Sequence, residues 1–312
     1  MKKVAIIGEG MIELYGEPFG EMVQGYGGDT LNTAIYLARV TPSLQNNIYY
    51  VSALGTDNIS RTMLQHWQRE GINTQYVLSD ATRQPSLYLI QLDPQGERTF
   101  LYWRNQSAAR YMVQQPDFTK VLNQLANFDM IYFSGISLAI LPKNDRTLLI
   151  NGLIKLAKQG VELVFDSNYR PTLWESAEEA KSTYQQILPF VTLALVTFDD
   201  EKLLWKDQDT KTVLSRLHNT GIAKVVVKQG QAGATFSFQS QIQNIPTTPI
   251  NRVIDTTAAG DSFNAGFLNG YLQGKKPEIC CRQGNRLAAT VIQHRGAIIE
   301  RSLTTHFLTE FN

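Results

Sequence analysis

Cysteine is nearly absent: the 312 residues contain two, Cys280 and Cys281, adjacent in a stretch that reads as helix. Helical neighbours cannot build a disulfide framework, so a reducing compartment is expected. Long hydrophobic runs are also missing. The opening Lys2-Lys3-Val4-Ala5-Ile6-Ile7-Gly8 is too short for a signal-peptide core. The stretch from Met130 to Leu141 is broken by Ser134, Gly135 and Ser137, short of the ~20 residues of a membrane helix. Neither sign of charge dominates, with 29 Lys+Arg against 28 Asp+Glu. There is thus no global attraction for nucleic acid or an anionic membrane. The four histidines, His66, His218, His294 and His306, lack ligand spacing, and no His/Cys cluster suits zinc. No GxxxxGK[ST] occurs, which excludes a P-loop. These absences leave a cytoplasmic soluble protein whose 43% hydrophobic content suffices for a large core.

Short β-branched runs recur at Val4 to Ile7, Ile48 to Val51, Met130 to Phe133, Val161 to Phe165, Leu193 to Val196 and Val225 to Val227. Between them Asp29 to Val40, Ser60 to Glu70, Asp145 to Gln159 and Asp261 to Leu272 carry apolar residues at three-and-four spacing. That rhythm predicts an α/β fold, a doubly wound and mostly parallel sheet flanked by helices. Two stretches interrupt it. Residues 84 to 103 alternate on either side of Asp93-Pro94-Gln95-Gly96, a hairpin signal, and Met11 to Gly25 is short, Gly-punctuated and not helical. Residues 1–312 are therefore expected to form one domain, with a small β-sheet lid inserted from about 10–26 and 75–104. The lid could also serve as a subunit interface.

Gly8-Glu9-Gly10 follows the first strand, but Glu13 stands where a dinucleotide fingerprint needs its third glycine. More informative is Asp255-Thr256-Thr257-Ala258-Ala259-Gly260-Asp261. A helix opening at Gly260-Asp261 aims free N–H groups and its positive dipole end at an anion, and Asp261 could take a proton from a hydroxyl nucleophile. An N-cap aspartate after a Gly/Ala turn has the same spacing, so spacing alone leaves both readings open. Gln24-Gly25-Tyr26-Gly27-Gly28-Asp29-Thr30-Leu31-Asn32 also runs into a helix, with Asp29 and Asn32 able to bind sugar hydroxyls. A third element, Lys228-Gln229-Gly230-Gln231-Ala232-Gly233, follows a buried strand, though a tight turn explains it equally well.

Gly27-Gly28-Asp29-Thr30-Leu31-Asn32 and Asp255 to Asp261 together resemble the paired signatures of the ribokinase-like (PfkB) carbohydrate kinases, and the strand-helix rhythm agrees over essentially the whole chain. Gly8 to Leu14, Tyr102 to Asn105, Ser134 to Ser137 and Asp166 to Pro171 are most similar to members of that family acting on keto-deoxy sugar acids. The resemblance implies ATP-dependent phosphorylation of the terminal hydroxyl of 2-dehydro-3-deoxy-D-gluconate. It makes Asp261 the base, and the amides of Ala258, Ala259, Gly260 and Asp261 the anion hole. Gly28, Asp29, Thr30, Leu31, Asn32, Tyr88, Tyr102, Trp103, Arg104 and Arg170 would hold the sugar acid. Ser167, Asn168 and Arg170 would border the nucleotide, with Lys228, Gln229, Gly230, Gln231, Ala232 and Gly233 cradling ATP. Asp255 and Thr257 lie where some relatives bind a monovalent cation such as potassium. The family's N-x-x-E motif, tied to magnesium, here reads Phe198-Asp199-Asp200-Glu201, which retains only the glutamate, and magnesium is still expected.

Chemistry bears on the acceptor. A keto acid's carboxylate favours arginine's fork, and Arg104 and Arg170 both stand where a strand ends. Strand alternation puts Tyr102 and Arg104 on one face and turns Trp103 to the other, towards packing. The alternatives are a kinase of this fold for a neutral sugar such as fructose or ribose, and a non-catalytic sugar-binding module.

Overall fold

The computed structural model describes residues 2–17, 19–44, 46–92, 98–238, 241–305 and 307. Among the described residues thirteen strands form two sheets. In chain order they are β1 (Val4–Ile7), β2 (Met11–Gly16), β3 (Met22–Gly27), β4 (Ile48–Gly55), β5 (Val77–Asp80), β6 (Ser86–Leu92), β7 (Arg98–Trp103), β8 (Met130–Ser134), β9 (Glu162–Asp166), β10 (Leu193–Thr197), β11 (Lys224–Lys228), β12 (Ala234–Phe238) and β13 (Gln241–Ile245).

The large sheet runs β13-β12-β11-β10-β9-β8-β1-β4-β5. From β11 through β5 every pairing is parallel, and β12 and β13 close one edge antiparallel. Alternation sorts its residues between two apolar layers. Ala5, Ile7, Ile131, Phe133, Val225 and Val227 pack among the helices Lys143–Lys158, Ala177–Ile187 and Thr210–Asn219. Val4, Ile6, Met130, Tyr132 and Val226 face the helices Asp29–Val40, Asn58–Arg69, Ala259–Leu272 and Pro277–Val291. Strands buried on both faces read as continuous β-branched runs, and this is why the sequence disclosed them. The helix expected from Ser60 starts at Asn58, because Asp57 Oδ1 accepts from the Ser60 amide at 2.9 Å and caps it.

The second sheet runs β3-β2-β6-β7, with β2 and β6 parallel and hairpin pairings outside them. Met11 to Gly25, expected only as non-helical, thus supplies most of two strands. The expected turn at Asp93-Pro94-Gln95-Gly96 lies outside the described residues. One boundary is corrected. The stretch 75–104 is expected whole in the lid, yet β5 pairs with β4, Ser52 opposite Val77, and forms an edge of the large sheet. The second sheet resumes only at Ser86. Four residues at a sheet edge carry too little pattern to show which sheet they join.

Candidate active site

The parallel strands deliver their C-terminal ends to one crevice, as open α/β sheets do. Asp166 ends β9 and Lys228 ends β11. Lys228 Nζ donates to Asp166 Oδ2 at 2.7 Å and to Asn264 Oδ1 at 3.1 Å. Asn264 Nδ2 in turn donates to Asp166 Oδ2 at 2.7 Å. A Cβ built on Gly260 would lie 3.4 Å from Lys228 Nζ. The lysine expected in the ATP cradle therefore reaches instead to the opening of the helix Ala259–Leu272.

No side chain caps that helix. The Ala259 amide donates to the Thr256 carbonyl at 3.1 Å and is lost from the expected anion hole, whereas the amides of Ala258, Gly260 and Asp261 make no hydrogen bond within the described residues. Unspent amides beside a buried ammonium are an anion site. Asp261 is buried, and its Oδ2 accepts from Asn32 Nδ2 at 2.8 Å. Burial first, then the neighbouring Asp29 charge, raises its pKa well above the ordinary carboxylate value, while Asn32 and Lys228 pull the other way. A carboxylate kept reluctant to ionise is a stronger base once it does. An N-cap would accept from the helix amides, and this carboxylate takes its hydrogen bond from another helix.

Gly28 holds φ at 138°, and a Cβ there would approach the Glu9 carbonyl to 2.2 Å, so only glycine brings the two segments together. Of the four residues that follow it, Asp29 to Asn32, two offer polar side chains to the crevice. Asp29 Oδ2 accepts from Asn168 Nδ2 at 2.8 Å, and Asn32 keeps its buried Oδ1 unpartnered. Burial raises the Asp29 pKa as well. Leu31 lies wholly in the core, and the Thr30 hydroxyl pairs with the Tyr50 hydroxyl at 2.9 Å, so neither side chain is free for a sugar.

From the second sheet, Tyr88 and Tyr102 lie opposite each other with ring centroids 6.0 Å apart. Tyr88 donates its hydroxyl to buried Glu13. Burial raises the Tyr102 pKa, Arg104 and Arg170 lower it, and Asp29 adds to it, so one phenol senses three charged candidates. Trp103 alternates to the other face, as expected, but is 58% exposed and so is not packed within the second sheet. Arg170 donates to Asp200 Oδ1 at 3.0 Å.

On the nucleotide side, Asn168 adopts φ 32°, rare for a residue with a side chain. Ser167 is buried with its hydroxyl unpartnered. Gln229 to Gly233 form the tight turn between β11 and β12. Gln229 reaches inward to Thr210 and Thr235, and Gly230, Gln231 and Ala232 are exposed at the rim. Asp255 accepts from the Thr257 amide and hydroxyl at 2.9 and 2.6 Å and from the Gly296 amide at 2.7 Å, so both its oxygens are engaged within the chain.

Glu201, expected to serve magnesium, is buried with its Oε1 unpartnered. Its carboxylate is 2% exposed and held by Arg216 Nη2 at 2.5 Å; Arg216 also bonds Asp207 and stacks on Trp205. The residue facing the crevice is Asp200, whose pKa burial raises, Arg170 lowers, and Asp166 and Lys228 also perturb. Adjacent helical residues point about 100° apart, so both cannot share a face. The motif's spacing marks Glu201, and the helix phase sets Asp200 beside it towards Arg170. Sequence reasoning also passed over Glu9, Asn264 and Asp166 as site residues. Gly8-Glu9-Gly10 carried a signal in its paired glycines, whereas the other two are partners 98 positions apart with none.

The chain belongs to the pfkB family of carbohydrate kinases, whose model matches residues 1–304. Over 314 residues, covering 100% of both chains, it is 64% identical to a 2-dehydro-3-deoxygluconokinase of Haemophilus influenzae. It is 45% identical to the protein of the same name in Escherichia coli K12, with 96% and 98% of the two chains covered. Among solved structures, a fructokinase from Vibrio cholerae with fructose, ADP and calcium bound shares the fold, with a TM-score of 0.82, 22% identity and 99% of each chain covered. Among the described residues no helix is long and apolar enough to cross a membrane.

Proposed function

We propose that this chain is an ATP-dependent sugar-acid kinase of the cytoplasm, phosphorylating the terminal hydroxyl of 2-dehydro-3-deoxy-D-gluconate to give 2-dehydro-3-deoxy-6-phospho-D-gluconate and ADP. The observation that carries the chemistry is the buried Asp261 carboxylate beside unspent helix amides and Lys228. Identity to named 2-dehydro-3-deoxygluconokinases supports the acceptor.

Asp261 takes the proton of the terminal hydroxyl, held by Asn32 so that its free oxygen meets the acceptor. The amides of Ala258, Gly260 and Asp261, with Lys228, receive the charge on the transferring phosphoryl group. Arg104 and Arg170, both near enough to Tyr102 to act on its phenol, take the acceptor's carboxylate. Asn168 and the rim at Gly230, Gln231 and Ala232 border ATP. The second sheet closes as a lid and excludes water.

Magnesium fits the donor set: Asp200 Oδ2 is a hard oxygen with no hydrogen bond within the described residues, and one carboxylate plus the phosphates suffices to hold the ion. When bound it neutralises charge between the phosphates. A monovalent cation beside the Asp255–Thr257 turn is part of the reading, checked by comparing rates in potassium and tetramethylammonium salts. Phe19, Met22, Val23, Leu101 and Trp103 leave exposed apolar surface on and beside the second sheet, which supports a homo-oligomer formed there.

A coupled assay of ADP release with keto-deoxy acids and neutral sugars tests the reading. Saturable turnover on the gluconate-derived acid is expected, and turnover on fructose or ribose with none on the acid refutes it.

A further inference from the structure

Glu9 is a buried charged residue that the reaction just described does not use. It follows β1 between Gly8 and Gly10, and it is 2% exposed. A Cβ on Gly8 would strike Thr30, and one on Gly10 would strike Trp67, so the backbone on both sides of Glu9 is pressed against the helices that build the site. Its side chain reaches out to the second sheet. Glu9 Oε2 accepts from Arg104 Nε at 3.1 Å and Nη2 at 2.5 Å, and Oε1 accepts from the Ser107 hydroxyl at 2.6 Å. No hydrogen bond within the described residues uses Arg104 Nη1. The guanidinium lies 5.5 Å from the Tyr102 ring centroid, and its side chain is 11% exposed.

We infer that Glu9 is a positioning residue for acceptor recognition: it grips one edge of the Arg104 guanidinium so that the remaining Nη1 edge is presented to the acceptor's carboxylate beside Tyr102. This deepens the sugar-acid reading and rests on it. Arginine's donors form a rigid planar fork, so fixing Nε and Nη2 fixes the direction of Nη1. The anchor sits in the three-residue link by which the chain leaves β1 of the large sheet, and the arginine follows the end of β7. The bond therefore registers the second sheet's recognition group against the sheet that carries Asp166 and Lys228. Glu9 also places a negative charge near an anionic acceptor, an effect opposite in sign to positioning. The test must separate the two.

Two neutral variants remove charge from the comparison. In Glu9→Gln the amide oxygen can still accept from Nε and Nη2, and the amide nitrogen can donate to the Ser107 hydroxyl. Glu9→Ala keeps neither bond. Steady-state kinetics on the full-length enzyme with 2-dehydro-3-deoxy-D-gluconate are expected to give KM for the acid at least about tenfold higher in E9A than in E9Q, with KM for ATP and kcat within about threefold between the two. Glu9→Asp keeps the charge but shortens the reach, and its KM for the acid should rise about tenfold over the parent. In an Arg104→Ala background, E9A and E9Q should differ by less than about twofold, as a residue acting through the arginine requires. Melting temperatures establish that each variant is folded; if E9A fails to fold, E9D carries the test alone. Equal KM values in E9A and E9Q, an unchanged KM in E9D, or a tenfold E9A effect that persists without Arg104 would each overturn the assignment. A parent enzyme that turns over neutral sugars but not the acid would remove the functional reading first, a result distinct from any of these.

Discussion

Replacing Asp261 with Asn separates a catalytic base from a structural carboxylate, because the two roles move rate and stability in opposite directions. Asparagine has nearly the same shape, and its oxygen can keep the 2.8 Å bond from Asn32 Nδ2. What disappears is the proton acceptor and one negative charge packed beside Asp29. General-base loss lowers turnover by about 10²–10⁴, roughly 3–5 kcal/mol of barrier. KM for ATP should hold or fall, since an anion is removed next to the phosphate site. Stability is expected to rise at neutral pH. Burial and Asp29 raise the Asp261 pKa in the folded state, so that state holds more protons than the unfolded one above the ordinary aspartate range. Folding stability contributed by this group therefore falls as pH rises through that window. The variant escapes this cost, so its melting temperature should exceed the parent's at pH 8, and the gap should close as pH falls towards the ordinary aspartate value. The parent's kcat should decline on the acid side as Asp261 gains a proton, whereas the variant's residual rate should lack that limb. Coupled ADP assays and thermal melts across pH read all of this. A variant that keeps turnover within tenfold of the parent, or a stability gap that widens on acidification, would refute the base assignment.

Arg170→Ala should raise KM for the keto-deoxy acid by about tenfold, the worth of one lost charge-assisted contact, with a smaller change for ATP. Asp200→Asn should raise the magnesium concentration needed for half-maximal rate. Glu201→Gln should leave that concentration unchanged while lowering stability by about 1–3 kcal/mol, because it weakens a buried partner of Arg216; the reverse pattern would restore Glu201 to the metal role. Trp103→Glu should shift the chain towards monomer in light scattering at unchanged thermal stability, and an unaltered mass would place any oligomer contact elsewhere.

How much was legible depended on whether a residue's partner was near in sequence. The parallel strands announced themselves because each is apolar on both faces. Gln241-Ile242-Gln243-Asn244-Ile245 did not, since an edge strand with one solvated face and polar alternation resembles a loop until β12 is beside it. The glycine elements at 27–28 and 258–260 were readable because close backbone approach requires small residues. Their meeting was not, as it depends on Asn32 bonding Asp261 across 229 positions. Spacing identified a glutamate near the phosphates but carried no helical phase, so it could not rank Glu201 against Asp200. Glu9 looked like part of a failed nucleotide fingerprint, and only the returning strand β7 shows what it holds.

The helix Asp29–Val40 is buried from Thr30 to Val40, and its far end is fastened to a late segment of the chain. Tyr36 donates its hydroxyl to the Ala297 carbonyl at 2.8 Å, and Arg39 Nη1 donates to the Ile299 carbonyl at 2.7 Å. The residues that greet the acceptor are thus synthesised some 260 positions before the segment that seats them. During translation the N-terminal glycine element must wait, with an apolar helix exposed, until residue 299 has left the ribosome. Contacts at such separation make assembly slow and leave that helix open to chaperones. A nascent chain halted before Ala297 should therefore bind neither substrate, so competence arrives only once Ala297 to Ile299 are in place.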